Sequence, residues 1–485
     1  MVDEVDGDRL FELAELDEVP VVRAPAGAAK TFRVYDQDQV LLLPPSLDDW
    51  LPADHTARFI SEIVDDSLDL GSIYGSYTNA TGAPPFDPRM MLKLLLYAYS
   101  TGVTSSREVE RRCHVDVAFR WLSANTAPDY RSLARFRRRH LDALGDLFTQ
   151  VLVLCATAGL VKLGRVALDG TKLRASASRH KAMSYDRMSS RIPEVEAEVA
   201  AMLTEAEAVD AAEDDEFGPD CRGDELPAEL ATRERRLVKM RAAKAALEAD
   251  AAQRAGEAAE VRARQSGKSD AEVDAAVESA TSSAVVNPKA QRSFTDPDAR
   301  MMKTNDGFHY AYNAQAVADD HSQVVVAVHV TQHPTDVNEL LPMLAATRRS
   351  LDDAGIDTRP GVVLADAGYC STANIDTAVV NGDNVLVATG RLKHHEQIPD
   401  APLGRIPKHL TSRQRMARRL RTKKGRAAYA RRKAIIEPVF GQMKVKQNAG
   451  HLRLRGIDGA QGEFTLHAIC HNLRKLANHN AAATC

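Results

Sequence analysis

Nowhere in these 485 residues do about twenty apolar residues run together, the length a membrane span needs. No membrane role is therefore expected. The acidic opening, MVDEVDGDRLFELAELDEVP, lacks the basic-then-apolar order of a secretory leader. The six cysteines (Cys113, Cys155, Cys221, Cys370, Cys470 and Cys485) include no C-x-x-C pair, which points to a reduced, cytoplasmic setting. SGKS at 266–269 lacks the glycine a P-loop requires at 262, where Arg262 stands, so that nucleotide motif is excluded. His467 and His471 have the i,i+4 spacing of zinc ligands but no companion ligand pair, and read as packing residues. No tyrosine follows His471-x-x-Arg474, which removes a covalent phosphotyrosine route.

What is present is charge asymmetry and enough apolar residue to build cores. Hydrophobic residues make up 44% of the chain, and its length suggests about three structural units. The net charge of −4 hides an acidic tail over 1–39, expected to be partly disordered, and a basic stretch further on. From Arg391 to Lys433 there are fifteen Lys and Arg against only Glu396 and Asp400. Such a stretch, with Arg415, Arg418, Arg419 and Arg421 at its centre, suits a polyanion, nucleic acid being the commonest.

Residues 40–150 read as a helical domain. DPRMMLKLLLYAYSTG has proline near its start and glycine after its apolar stripe. SSREVERRCHVDVAFRWLS offers Ser105 or Ser106 as N-cap. DYRSLARFRRRHLDALGDLF sets Leu133, Phe136, Leu141 and Leu144 at helical spacing. Arg131, Arg135, Arg137, Arg138 and Arg139 form its polar side. Short helices with an arginine-rich face resemble a helix-turn-helix DNA reader. From 190 to 284, Leu230, Leu237, Met240 and Leu247 recur as in a coiled-coil seam, and EDDEFGPDCRGDE reads as the turn of an inserted helical hairpin.

Strands are expected at 166–168, 312–319, 322–332, 362–366 and 384–390, with a helix over 336–353 and another over RRKAIIEPVFGQMKVKQ. This order argues for an α/β domain with an antiparallel edge. Three acids stand out: Asp169 and Asp366 at strand ends and Glu437 on the last helix. Neighbouring strands and a packed helix could bring them together to hold two Mg²⁺ or Mn²⁺ ions, since oxygen ligands suit hard cations. Lys433, Gly441 and Lys444 lie near the face of Glu437, which places cations suited to phosphate beside it. Pro438 disfavours helical geometry at Glu437, so that this acid either opens a helix or sits at a kink.

ALDGTKLRASAS, LADAGYCS and IIEPVFGQMK, in that order, resemble the three acid-bearing segments of the DDE transposases of bacterial insertion sequences. FDPRMMLKLLLYAYSTGVTSSREVERRC and PDYRSLARFRRRH resemble that family's N-terminal domain. The resemblance covers most of 40–478 and implies a ribonuclease H-like catalytic core over 160–478, interrupted by the 190–284 insertion. It carries over Asp169, Asp366 and Glu437 as catalytic and metal-holding residues, with Lys444 in the E-x6-K pattern. A related signature, Tyr-x2-Arg-x3-Glu, is met by Tyr429 and Arg432, but Glu437 lies one residue late. Arg432 and Lys433 are both candidates for the phosphate contact. The implied function is a DNA transposase that binds terminal inverted repeats, cuts with divalent metal, joins the freed end to target DNA and works as a homodimer on paired ends. A metal-dependent nuclease without strand transfer, or a non-catalytic DNA-binding derivative, are the alternatives.

Overall fold

The structure, a computed structural model, describes residues 46–78, 84–178, 181–217, 228–304, 306–390, 404, 407 and 409–484. The acidic tail expected over 1–39 and much of the basic stretch, 391–403, lie outside these. The chain divides into two compact units, Met1–Trp50 and Leu51–Cys485. Of the first, a single short helix is described, α1 (Leu47–Trp50).

Among the described residues the second unit opens with seven α-helices: α2 (Thr56–Glu62), α3 (Gly71–Gly75), α4 (Pro88–Ser100), α5 (Ser106–Val115), α6 (Val117–Leu122), α7 (Tyr130–Arg139) and α8 (Ala143–Thr157). Local chemistry sets their ends. Asp87 caps α4 by accepting from the Arg89 amide at 2.7 Å, with Pro88 in the first turn, where its missing N–H costs nothing. Asp129 caps α7 by accepting from the amides of Arg131 and Ser132 at 2.9 and 3.1 Å. Ser105 is the N-cap of α5, but its side chain makes no capping hydrogen bond.

A mixed sheet follows. Its strands are β1 (Val166–Arg174), then, after the insertion, β4 (Arg300–Thr304), β5 (Gly307–Asp319), β6 (Val325–Thr331), β7 (Val363–Ala365) and β8 (Val385–Val387). β1, β7 and β8 are parallel neighbours; β5 runs antiparallel to β1, β4 and β6. The expected antiparallel edge is thus present, and β5 begins five residues before its expected start because it extends into a hairpin with β4. α12 (Leu340–Asp353) packs on β5 and β6. It starts later than expected, after a 3-10 turn over Val337–Glu339 that leaves Asp336 outside the helix. α13 (Thr372–Val380), α14 (Ser412–Arg421), α15 (Lys423–Lys446) and α16 (Ile457–Thr484) complete the unit.

Among the described residues the insertion has three helices, one more than the expected hairpin: α9 (Tyr185–Phe217) and α10 (Ala228–Gln265), which pack on each other, and α11 (Asp270–Ser282); the expected turn at 213–225 lies mostly outside the described residues. α10 ends at Gln265, and Gly267 in the turn after it has a left-handed φ of +69°. A Ser269–Glu272 capping box then restarts the chain as α11. Leu237, Met240 and Leu247 are buried against Met188, Ile192 and Val195 of α9 in a core of their own. Leu230, expected in the same seam, lies outside the described side chains. The small strands β2 (Ala182–Ser184) and β3 (Gln291–Ser293) pair antiparallel at its base.

Pro438 neither opens nor ends α15 but sits inside it. A proline leaves the carbonyl four residues earlier without its helical donor. That carbonyl, of Ala434, instead accepts from Gln323 Nε2 at 2.9 Å. Glu437 therefore lies mid-helix.

Candidate active site

The parallel register of β1 and β7 sets Leu168 opposite Ala365, so Asp169 and Asp366 follow side by side at the next position. β7 ends there. Asp366 caps a 3-10 turn over Ala367–Tyr369, its Oδ1 accepting from the Gly368 amide at 2.7 Å. Thus the carboxylate that ends the buried strand is held at the mouth of the sheet rather than inside it.

Asp169 has a cation against it. Its Oδ2 accepts from Arg432 Nη1 at 2.8 Å and its Oδ1 from the Gly170 amide at 2.9 Å. Burial pushes its carboxyl above the ordinary range; Arg432 and the Gly170 amide oppose the rise, and the nearby Asp366 charge adds to it. Burial works against the charge on Arg432, but Asp169, Tyr429 and Asp366 together raise its pKa. The buried Nε of Arg432 has no hydrogen-bond partner among the described residues, so one donor of this guanidinium is left over beside the two acids.

α15 lies along β1. Lys444 donates to Thr171 Oγ1, two residues beyond Asp169 on the same face of the strand. Burial lowers the Lys444 pKa, and Asp306 partly restores it. Glu437 is exposed. Seven residues before Lys444, it shares that flank of the helix, about 140° round from Arg432 at 100° per residue. Among the described residues no three His, Cys, Asp or Glu side chains are grouped so as to hold a metal ion. Arg432 takes the position of α15 that faces Asp169 and pairs its charge, while Glu437 lies exposed on the flank it shares with Lys444. The oxygen-only pair of Asp169 and Asp366 fits a hard divalent cation.

The arginines divide between surface and interior. On α7, Arg131, Arg135, Arg138 and Arg139 are exposed and, with Tyr130 and Ala134, line an open groove. Arg107 and Arg131 lie over the Tyr130 ring at 4.9 and 5.7 Å, and Arg139 over Tyr77 at 4.3 Å. Arg137, expected on this face, corrects that expectation: it is buried and donates to Tyr99 Oη at 2.6 Å and to the Thr104 carbonyl at 3.0 Å. The cause is helical period, since Arg137 falls with Leu133 and Phe136 on the inward side.

The same holds on α14. Arg418 is buried and donates to the Gly404 carbonyl at 2.7 Å; Arg419 moors the helix to β8 through the Val385 carbonyl at 3.0 Å and Asn384 Oδ1 at 2.5 Å. Arg415 is exposed, Arg421 half-buried, and Lys433 exposed on α15. His467 and His471 are fully buried, with pKa values lowered by burial to about 3, and His471 Nε2 lies 2.9 Å from the Gln323 carbonyl oxygen.

Sequence reasoning missed a polar set near the acids: buried Asn313, Gln315 and Tyr369, with half-buried Asp336. The signal was available, since Asn313 and Gln315 alternate with alanine in YNAQAVAD and so share one face of an otherwise apolar strand.

Two family models match the chain: Transposase domain (DUF772) over residues 45–139, and Transposase DDE domain over 277–473. The second includes Asp366 and Glu437; Asp169 and the insertion up to residue 276 fall between the two. No curated protein and no solved structure matches. No helix among the described residues is long and apolar enough to cross a membrane. With a transposase domain followed by a DDE domain, the chain belongs to the DDE transposases of insertion-sequence type.

Proposed function

We propose that this transposase binds the terminal inverted repeats of its own element, cuts the DNA there and transfers the freed strand to target DNA. The observation that carries this reading is the pair of Asp169 and Asp366 on adjacent parallel strands, with Arg432 against the first. A sheet of this order, with Asp169 within β1, which runs past its expected end at 168, Asp366 just beyond the short parallel β7, and a helix along β1, supports a ribonuclease H-like core over 160–478. Residues 40–150 serve as the DNA-binding domain, and 190–284 interrupt the core. By family resemblance the active form is a homodimer on paired ends, acting in the cytoplasm on the nucleoid.

In this reading Asp169 and Asp366 hold Mg²⁺ or Mn²⁺, and Glu437 serves a second ion. Such ions activate water and offset charge on the phosphodiester oxygens when bound. Arg432 keeps Asp169 ionised and in place. Lys433 and Lys444, beside Arg432 on the same helix, offer donors to the backbone phosphate at the cut. The exposed arginines of α7 read the repeat, because arginine pairs well with guanine in the major groove. Arg415 and Arg421 grip phosphate, which positions the duplex without reading sequence. No covalent enzyme intermediate forms; the freed 3′-hydroxyl is itself the nucleophile for joining.

The test is cleavage and joining of duplexes that carry the repeats flanking the gene, with Mg²⁺ or Mn²⁺ and with chelator. Asp366→Asn should abolish cutting and leave repeat binding intact. Asp169→Asn and Glu437→Gln should do the same, with no further loss on combination. Wild-type cutting rates in Asp366→Asn would refute the assignment. Cutting without joining would favour the nuclease reading, and neither activity the DNA-binding derivative.

A further inference from the structure

We propose that Asp336 is a positioning residue that fixes the turn carrying Asp366. This rests on the reading of Asp366 as catalytic. After β6 the chain crosses β5 and delivers Asp336 to the face of β1 opposite Asp169. There its Oδ1 accepts from Asn313 Nδ2 at 2.7 Å and Gln315 Nε2 at 2.9 Å, both on β5, and lies 3.3 Å from Lys172 Nζ on β1. Gly170 makes the approach possible: a Cβ there would collide with Gln315 Nε2 and stand 2.9 Å from Asp336 Oδ1. Only glycine leaves room for the crossing carboxylate.

From Asp336 the arrangement runs to Asp366 through fully buried groups. Gln315 is buried, and its amide nitrogen is drawn to Asp336. That fixes the amide's sense, so its oxygen points away and accepts from the Tyr369 hydroxyl. Tyr369, also fully buried, is the last residue of the 3-10 turn that Asp366 caps. Asn374 ties the same two turns through their backbones, donating to the carbonyls of Val337 at 2.6 Å and Tyr369 at 3.0 Å. Gly368 sits between the carboxylates: a Cβ there would lie 2.9 Å from Asp366 Oδ1 and 3.5 Å from Asp336 Oδ2. A neutral amide at 336 would turn a nitrogen toward three donors, or lose one acceptor, and would leave the orientation of Gln315 unset.

The experiment uses the full chain as wild type, Asp336→Asn, Tyr369→Phe and the double variant. Amide hydrogen exchange, measured without DNA or metal, reads the turn directly. In each single variant the amides of Gly368 and Tyr369 should exchange about tenfold faster, with β1, β5 and α15 unchanged. Cutting of a repeat-end duplex at saturation should fall about 100-fold, with the duplex Kd unchanged, as expected for a misplaced reacting group. The double variant should be no worse than the poorer single one, because both changes break one link. Unchanged exchange in the turn, faster exchange throughout the sheet, or additive losses would overturn the proposal. If the wild type cuts no duplex, the functional reading fails by itself, and the exchange data still decide the role of Asp336. Tyr369→Phe removes one hydroxyl and keeps the test open should Asp336→Asn not fold.

Discussion

Arg432 of α15 reaches across to β1 and donates to Asp169 at 2.8 Å, so the helix that carries Glu437 is fastened to the strand that carries the first acid. This pair ties the position of one proposed catalytic element to another. It is also nearly enclosed: the side chains are 10% and 21% exposed.

Arg432→Gln should therefore cost about 2 kcal/mol of stability, less than a fully buried pair because Asp169 keeps some contact with water. The Asp169 carboxyl already lies above its ordinary value, chiefly through burial. Such a group adds stability below its unfolded pKa and loses it as pH rises through the folded one. Removing Arg432 raises the folded value further. The deficit of the variant should thus be largest at neutral pH and shrink toward pH 4, which denaturant titrations at several pH values would measure.

The buried histidines set an acid limit of the opposite sign. His467 and His471 have pKa values lowered to about 3 by burial, with Arg137 adding to the effect at His467. The unfolded chain binds these protons near pH 6.5 and the folded one does not. Stability is thus full above that value and is lost as pH falls toward 3. Two such groups should remove about 4 kcal/mol between pH 7 and 5, at about 1.4 kcal/mol per group per pH unit. His471→Gln should halve that slope in thermal melts; an unchanged slope would count against it.

Arginines on α7 should separate by position. Arg135→Ala and Arg138→Ala, on the exposed face, should weaken DNA binding with little change in Tm. For every phosphate that an arginine no longer neutralises, the salt dependence should flatten by about 0.9 log–log units. Arg137→Ala should instead cost about 2–3 kcal/mol, because it strips buried partners from Tyr99 and the Thr104 carbonyl. Titrations of repeat and scrambled duplexes at several salt concentrations, paired with melts, distinguish the two effects.

The insertion should melt on its own. Met240 is fully buried in a core separate from that of the sheet. Met240→Ala should cost about 2–4 kcal/mol there. Limited proteolysis should then cut within 185–282 first, while fragments containing β1 and β5 persist. Simultaneous loss of the sheet would mean that the two cores are one.

Much was determined by the sequence alone. The strand ahead of Asp366, the helix around Glu437, the capped helices before 150 and the seam at Leu237 and Met240 follow from local periodicity and caps, which act over a few residues. The matched transposase families agree with motifs that can be read in order along the chain. What tertiary structure decided is which side chain faces which. Only strand pairing put Asp169 beside Asp366, and only the packing of α15 set Arg432 against Asp169. Arg137 and Arg418 look like their exposed neighbours in sequence, but helical phase turns them inward. Pro438 was a local objection to a helix, answered from 111 residues away by Gln323. Asp336 had no local mark at all. Its place depends on a chain crossing over β5 and on the space left by Gly170, and such long-range relationships are set by the packing of the whole sheet, not by any window of sequence.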